Sequence, residues 1–218
     1  MRTIRVTGKG TLKIRPDVTR ISITLSDVYE DYAETLKYSS EDTEKLKDLV
    51  SKFGFRRSDL KTLNFDVDAE YESYREKNEY KQRLVGYRYR HSMKIEFDSD
   101  NDRLGKILYA LAQSELNPEF YISYTVKDQE SAKNELLGKA VADAKEKAKV
   151  LSDAAGLVLK DIQSVDYSWG EINMTVAPMR KMMANNMVAG AAEESYDMDI
   201  EPDDINVSDT VTVVWEIE

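Results

Sequence analysis

Apolar residues recur at steps of three and four along residues 128–156, and charged residues fill the opposite side. This spacing predicts one long helix with a single apolar face. Asp128 is suited to the N-cap, and Gly156 is suited to the left-handed residue that ends a helix. Because the apolar stripe is rich in alanine, we expect close approach to a sheet. Its members are Leu136, Leu137, Ala140, Val141, Ala144, Ala148, Leu151, Ala154 and Ala155.

The first part of the chain alternates strand and helix patterns. A short strand pattern at residues 2–7 is followed by a glycine-rich segment at residues 8–10, which predicts a turn. Alternation over residues 18–25 predicts a second strand with its apolar side chains on one face. A helix pattern covers residues 29–53. Its expected inward residues are Leu36, Thr43, Leu46, Val50 and Phe53.

Two long alternating patterns follow, at residues 60–74 and 84–97. The connection between them is rich in charge, so they predict a hairpin whose tip projects beyond the sheet. A shorter helix pattern covers residues 101–114. The apolar faces of the two strands are expected to carry Leu63, Phe65, Val67, Ala69 and Tyr71 on the first, and Val85, Tyr87, Tyr89, His91, Met93, Ile95 and Phe97 on the second.

The second half of the chain repeats the order of patterns found in the first. Residues 20–27 align with residues 121–128 without a gap, and both long helix patterns lead into similar strand patterns. We therefore predict an α+β fold made by tandem duplication of a β-α-β-β unit, as one domain with repeats at 18–97 and 120–217. Because such crossovers are right-handed, both long helices are expected on one face of mixed or antiparallel sheets.

The two halves differ by an insert at residues 171–205, which holds six of the eight methionines and then an acidic run. One interpretation is a mobile, weakly ordered loop. Another is an adaptable apolar surface that docks on a second subunit or a protein partner. Capture of Cu(I) by thioethers is a third, although no Cys or His lies nearby. The candidate contact residues on one helical stripe are Met179, Met182, Met183 and Met187.

Composition narrows the function classes. The chain has 218 residues, a formal net charge of −10 and no cysteine. Its acidity argues against general affinity for nucleic acid or anionic membranes, and the lack of cysteine excludes disulfides and thiol catalysis. No apolar run is long enough to span a bilayer. No signal peptide is recognisable, so we expect a cytoplasmic location as written, or a periplasmic one if a presequence was removed.

Candidate chemistry is sparse. The glycine-flanked Lys9 lacks the spacing of a phosphate-binding loop. His91 is the sole histidine, and its place in an apolar strand face predicts a packed, hydrogen-bonded side chain rather than a metal ligand. The carboxylates at residues 197–204 lack the glycine and terminal Glu of a calcium loop. We therefore expect no cofactor, no metal and no catalytic residues, since no nucleophile, base and orienting group can be placed together.

Arginine and tyrosine are interleaved in the predicted hairpin. Three interpretations are open: contact with another copy or a protein partner, a solvated hairpin, or stacking on single-stranded nucleic acid. Alternation puts Arg88 and Arg90 on the face opposite Tyr87 and Tyr89, which disfavours stacking. The candidate contact residues are Tyr74, Tyr80, Arg83, Tyr87, Arg88, Tyr89 and Arg90.

The chain resembles the SIMPL-domain family. The resemblance rests on VTGKG at residues 6–10, the Pro-Asp pair at 16–17, VGYRYRHSMKIEF at 85–97 and AVADAKEKAKVLSDAAG at 140–156. The family includes periplasmic and outer-membrane-associated immunogenic proteins, some of which form ring-shaped homo-oligomers, and one kinase-interacting adaptor. It has no established catalytic residues to transfer.

Two functions are compatible with these observations. The first is a non-enzymatic protein that assembles with copies of itself, because long hairpins and exposed strand edges can be covered by another copy. The second is a monomeric or dimeric adaptor or ligand-binding module that docks a partner through the methionine-rich insert. Both function classes rest on protein contacts and neither requires a cofactor.

Overall fold

The computed structural model describes residues 2–76, 79–167, 172–177 and 200–218. Within them the predicted α+β class is confirmed, with helices packed on antiparallel sheets. In chain order the elements are β1 (Arg2–Ile14), β2 (Val18–Tyr29), α1 (Tyr32–Ser51), a 3₁₀ turn (Arg57–Asp59), β3 (Lys61–Glu76), β4 (Glu79–Asp98), α2 (Asn101–Ala112), β5 (Glu119–Thr125), α3 (Gln129–Ala154), β6 (Leu159–Asp166), β7 (Thr175–Val176) and β8 (Ile205–Ile217).

The chain divides into two compact units. The first unit combines Met1–Asp17 with Thr125–Val176 and Pro202–Glu218, and the second is built on Val18–Tyr124. In the second unit the strand order is β3–β4–β2–β5. β4 is antiparallel to both β2 and β3. The strand that returns from the hairpin therefore lies between the two strands joined by α1, which is why these ladders are antiparallel rather than mixed.

The core of the second unit lies between this sheet and helices α1 and α2. The inward face of α1 differs from the prediction at Leu36, which is exposed, while Thr35 and Ser39 are buried. Both hydroxyls donate to backbone carbonyls of the helix or the preceding turn, which satisfies them in the interior. The principal buried residues are Ile21, Ile23, Leu25, Leu46, Val50, Tyr89, Met93, Ile95, Phe97, Leu104, Ile107 and Leu111.

In the first unit the strand order is β1–β8–β6, and α3 packs over β1 and β8. The predicted turn at residues 8–10 is wrong, because β1 runs through it without interruption. A Cβ atom built on Gly8 would lie 2.1 Å from the carbonyl oxygen of Ala140, and one built on Gly10 would lie 2.2 Å from that of Leu136. These glycines let the backbone of α3 lie directly on β1, so the predicted close approach of helix and sheet is confirmed.

The buried face of α3 is narrower than the predicted stripe. It runs in steps of four, while Val141 and Leu151 are exposed and Leu137 is half-buried. The row in line with the two glycines of β1 is the one buried against the sheet, and Leu137 packs beside it only partly buried. The buried residues are Leu136, Ala140, Ala144, Ala148 and Ser152.

The tandem duplication stays a prediction, as does the single-domain organisation that rests on it. β6 pairs with β8 as β3 pairs with β4. The second neighbour of β4 is β2, whereas the second neighbour of β8 is β1. In a simple duplication β5 would pair with β8 as β2 pairs with β4. The N-terminal strand β1 occupies that position instead.

Candidate interaction surface

The β3–β4 hairpin projects past the end of β2. Tyr29, the last residue of β2, lies opposite Tyr87. Beyond that point the described residues of β3 and β4 pair with each other from Glu70 and Gly86 to Glu76 and Glu79. We call residues 70–76 and 79–86 the ribbon. Seven residues of strand extend about 24 Å. Among the described residues no third strand pairs with this part of the hairpin, so the ribbon has two open faces.

Gly86 marks the point where the ribbon leaves the sheet. A Cβ atom at this position would lie 2.2 Å from the carbonyl oxygen of Tyr29, so only glycine permits the end of β2 to pack there. The register shifts between Glu70 and Tyr71, which places an extra residue on β4. Such a bulge increases local twist and redirects the strands that follow it.

One face of the ribbon is charged and satisfied within the chain. Arg88 binds Glu70 with an Nε–Oε2 distance of 2.9 Å, and this hydrogen bond lowers the pKa of the Glu70 carboxyl. Arg83 pairs with Glu72 and lies 5.9 Å from the ring centroid of Tyr74. These contacts order the face, and both arginines already have carboxylate partners within the chain.

The other face of the ribbon, which we call its apolar face, carries Tyr71, Leu84 and Tyr80, with Ser73, Gln82 and Arg75 between them. Tyr71 lies opposite Leu84, and the same face continues inward to the core residue Tyr89. Helix α1 covers this face only as far as Tyr32, whose ring packs edge-on against Tyr87 at 5.4 Å. Farther out, Tyr71 is 57% exposed and Leu84 is 48% exposed. The core-facing side of the sheet therefore extends beyond the helix that covers it.

The residues predicted for contact fall into three groups. Tyr89 is 2% exposed and its hydroxyl donates to Asp42 at 2.8 Å, so it belongs to the core and not to a contact surface. The methionine stripe at residues 179–187 lies outside the described residues. The remaining predicted residues lie on or beside the ribbon: Tyr74, Tyr80, Arg83, Tyr87, Arg88 and Arg90.

Sequence reasoning left Tyr71 and Leu84 out of the contact set. Alternation placed Tyr71 on the apolar strand face, and such a face is ordinarily buried. Whether it is buried depends on where α1 begins, and that is a tertiary property. The signal that could have found both residues is the length of the hairpin, which is longer than β2 can flank.

His91 is packed and hydrogen-bonded, as predicted. The hydroxyl of Thr43 donates to the carbonyl of Ser39 at 2.7 Å, so it accepts from Nδ1–H of His91 at 2.9 Å. Nε2 of His91 is then free to accept from the hydroxyl of Thr62 at 2.9 Å. Burial, followed by the charge of Lys47, lowers the pKa of His91. The ring is held as a neutral structural link between α1 and β3.

Tyr29 and Tyr89 are hydrogen-bond donors rather than acids, since their hydroxyls donate to Asp27 and Asp42. Burial, with a smaller contribution from Asp27, raises the pKa of Tyr29 to about 12. Burial also raises the pKa of Tyr89, which is hydrogen-bonded to Asp42. Among the described residues, no group of three or more His, Asp and Glu side chains is placed to hold a metal ion.

Comparison with known proteins adds a family to this geometry. A family model described as SIMPL, protein of unknown function (DUF541), matches residues 4–215. The chain belongs to the SIMPL family. Two relatives carry the name 26 kDa periplasmic immunogenic protein, from Brucella abortus and Brucella melitensis biotype 1. Each is 27% identical over 218 residues, covering 99% of this chain and 84% of the relative.

The SIMPL assignment confirms the predicted resemblance and describes no activity, so function has to be argued from surfaces. None of the helices in the described part of this SIMPL chain is long and apolar enough to cross a membrane. Among the described residues, the apolar face of the ribbon is an exposed surface on a two-stranded projection.

Proposed function

We propose that this SIMPL protein assembles with copies of itself and that the apolar face of the ribbon forms the main contact. The observation that carries the proposal is the exposure of Tyr71, Leu84 and Tyr80 on a two-stranded projection. A two-stranded ribbon is marginally stable alone in water, and packing of its apolar face stabilises it. Contiguous exposed apolar surface is typical of protein contact sites.

The burial energy is large enough to matter. Complete burial of a large apolar side chain contributes about 2 kcal/mol. Tyr71 and Leu84 are about half exposed and Tyr80 is 81% exposed. Covering all three therefore contributes about 4 kcal/mol before the cost of association, which corresponds to a factor on the order of several hundred in the dissociation constant.

Charge does not oppose a contact made by the ribbon. The whole chain carries −10, so two copies repel one another on average. The sequence segment 70–86, which is the ribbon together with residues 77–78, contains four acidic and four basic residues and is therefore neutral. A neutral projection can approach an acidic copy without a Coulombic penalty, which supports the ribbon as the contacting element.

The proposed role is architectural rather than catalytic, and the proposed location is the periplasm. The location is supported by the name of the two relatives, which describes them as periplasmic proteins. The cytoplasmic location expected from the start of the sequence has no support from these relatives. Fractionation of cells that express the native gene would check the compartment.

Sedimentation velocity at micromolar concentration tests the assembly. We expect the wild-type protein to sediment as an oligomer and the variant Tyr71→Thr/Leu84→Thr to shift towards the monomer. The matched control is Ile162→Thr/Val165→Thr, which removes two apolar side chains of similar exposure from β6 and leaves the ribbon intact. A strictly monomeric wild-type protein, or equal dissociation of both variants, would defeat the proposal.

A deletion separates assembly from an adaptor function based on the insert. Met174 is buried against Ile205 and Val207, so the start of the predicted insert belongs to the core of the first unit. The deletion should therefore be confined to residues 178–199. An assembly held by the ribbon keeps its number of subunits after this deletion, whereas an adaptor that docks through the insert no longer binds its partner.

A further inference from the structure

Basic charge is concentrated at the start of this acidic chain. Residues 1–15 hold five of the 31 basic residues and none of the 41 acidic ones, on a chain whose net charge is −10. Most of this segment is β1, the outer strand of the order β1–β8–β6. The first unit therefore carries a positive strand although the protein as a whole is negative.

The basic residues of β1 lie on the face of the sheet that points away from α3. Val6, Gly8 and Gly10 are buried on the α3 side, so the odd-numbered residues of β1 lie on the opposite face, where all of them are exposed. Successive cations on that face are four residues apart, a distance of about 14 Å along a strand. The residues alternate threonine with a cation: Thr3, Arg5, Thr7, Lys9, Thr11 and Lys13.

Strand β8 extends this face with hydroxyl and amide groups. Its residues opposite Thr7, Lys9, Thr11 and Lys13 are, in that order, Thr212, Thr210, Ser208 and Asn206. We call the odd-numbered residues 3–13 and the even-numbered residues 206–212 the outer strip. Two carboxylates lie at its margin: Glu216 opposite Thr3, which accepts a hydrogen bond from Gln163, and Asp166 on β6.

Two of the three cations of the outer strip have no acidic partner. Lys13 pairs with Asp204 at 3.1 Å, whereas Arg5 and Lys9 form no ion pair with any residue that the structure describes. A single carboxylate or phosphate is too small to bridge cations about 14 Å apart. The row therefore fits several anionic groups that are carried on one extended ligand.

A groove lies at the Lys13 end of the outer strip. Its volume is about 410 Å³, within the range of about 300–1,000 Å³ that is typical of ligand sites. Its hydroxyl, amide and ammonium groups can exchange hydrogen bonds with sugar hydroxyls and neutralise an acidic substituent. The described residues that line the groove are Thr11, Leu12, Lys13, Asn206, Val207 and Ser208.

The composition of the outer strip favours one class of polyanion. Among the described residues of β1 and β8, no aromatic or large aliphatic side chain is exposed. Nucleic-acid bases therefore have no stacking platform here, and a bilayer has no apolar anchor. The six hydroxyl side chains of the strip, interleaved with cations, suit a sugar chain that carries acidic groups at intervals.

We infer that the outer strip binds a linear acidic glycan, with one acidic sugar in the groove at Lys13 and further acidic groups at Lys9 and Arg5. Glycan binding does not depend on self-assembly, because the strip belongs to the first unit and the ribbon to the second. Where copies assemble, several strips act on one glycan and bind it more tightly than a single strip does.

Fluorescence anisotropy of the full chain with labelled oligosaccharides tests this binding. The acidic probes are an oligogalacturonate, which carries carboxylates, and a heparin oligosaccharide, which also carries sulfates. The methyl ester of the oligogalacturonate is the uncharged probe. We expect an acidic probe to bind more weakly as salt is added, and the methyl ester to bind at least about tenfold more weakly than the free acid. Absence of binding to both acidic probes at low salt would overturn the inference.

A charge-removing variant identifies the binding face. Arg5→Ser/Lys9→Ser should weaken binding of the acidic probe at least about tenfold. The matched control Lys145→Ser/Lys149→Ser removes two exposed lysines from α3 and changes the net charge by the same amount, so it should alter the affinity by less than about twofold. Thermal melts check that both variants remain folded. Equal losses in the two variants would show that overall charge is responsible and would refute the role of the strip.

A second variant separates sugar recognition from charge alone. Thr11→Val/Ser208→Ala removes two hydroxyls from the groove and no charge. We expect the acidic glycan to bind this variant about fivefold more weakly, while any weak binding of single-stranded DNA stays unchanged. If single-stranded DNA or vesicles with anionic lipid bind the wild type more tightly than both acidic glycans, the strip recognises a nucleic acid or a lipid surface and the assignment to a glycan is wrong.

The outcomes are independent of the proposed assembly. A monomeric wild-type protein that binds the acidic glycan defeats assembly and leaves glycan binding standing. An assembled wild type that binds neither acidic probe defeats glycan binding alone.

Discussion

Replacement of Gly8 by alanine provides the sharpest test of how the first unit is packed. The added methyl would lie 2.1 Å from the carbonyl oxygen of Ala140 and 2.4 Å from the backbone nitrogen of Ala144. Both are backbone atoms in the middle of α3, so no side-chain rotation relieves the clash. The helix must move away from β1, and that movement loosens the contacts of Ala140, Ala144 and Ala148 with the sheet.

The expected cost follows from two opposing effects. Overpacking of a core typically costs about 1–3 kcal/mol, and more where backbone atoms collide. Alanine also reduces the entropy of the unfolded chain, which returns about 0.4–1 kcal/mol. We expect a net decrease of about 2 kcal/mol in the free energy of unfolding of Gly8→Ala.

Urea denaturation followed by circular dichroism measures this change. The control is Gly138→Ala, since Gly138 lies exposed within α3 and an added Cβ would meet no atom within 4 Å. Alanine is a better helix former, so this control should raise the free energy of unfolding by about 0.5–1 kcal/mol. If Gly8→Ala is as stable as the wild type, β1 and α3 are not in contact at this point and the packing argument is refuted.

Three further predictions concern the second unit. The pKa of His91 is lowered in the folded state, so the unfolded chain binds the proton at a higher pH than the folded chain does. The free energy of unfolding should therefore keep its full value above about pH 6.5 and decrease as the pH falls below it. In denaturation experiments His91→Gln should show a weaker dependence on pH than the wild type, and an unchanged dependence would contradict the role given to His91. Tyr89→Phe removes the donor to Asp42 and should lower the unfolding free energy by about 1 kcal/mol, with no loss if that hydrogen bond is unimportant. Gly86→Ala places a Cβ 2.2 Å from the backbone carbonyl oxygen of Tyr29, so it should lower the melting temperature, as the backbone collision at Gly8 does, and should also weaken assembly by moving the base of the ribbon; thermal melts and sedimentation would show both effects, and an unchanged melting temperature would contradict the close approach.

Features with a local cause were predictable from sequence. Asp128 caps α3 by accepting from the backbone of Ser131 at 2.8 Å. Gly156 has a φ of 67°, the left-handed conformation expected of a helix stop. Capping and chain reversal depend on a few consecutive residues, and the sequence displays those residues together.

Features whose cause lies elsewhere in the chain were not predictable. Residues 8–10 carry a turn signal, and the reason they form a strand instead is a helix more than a hundred positions away. Leu36 matched the helical period but lost its inward place to Thr35 and Ser39, whose hydroxyls return hydrogen bonds to the backbone. Periodicity ranks the faces of a helix, while the partner strand decides which face is used.

The contact surface also combines features with a local cause and features whose cause lies elsewhere in the chain. Alternation correctly separated Arg88 and Arg90 from Tyr87 and Tyr89, because that property is fixed by strand geometry. It could not show that Tyr89 is covered by α1 while Tyr71 is not. Coverage depends on the position at which α1 begins against β4, and sequence spacing alone does not contain that information.

Burial of Tyr71 and Leu84 is non-directional, so the apolar face of the ribbon supplies affinity but does not choose the orientation of the copies. Salt tests whether this burial holds the copies together. At about 0.5 M salt the Debye length is about 4 Å, so interactions between exposed charges are screened while the apolar contact is retained. An assembly that persists at high salt is therefore the expected behaviour, and complete dissociation at high salt would mean that charge, not the ribbon, holds the copies together.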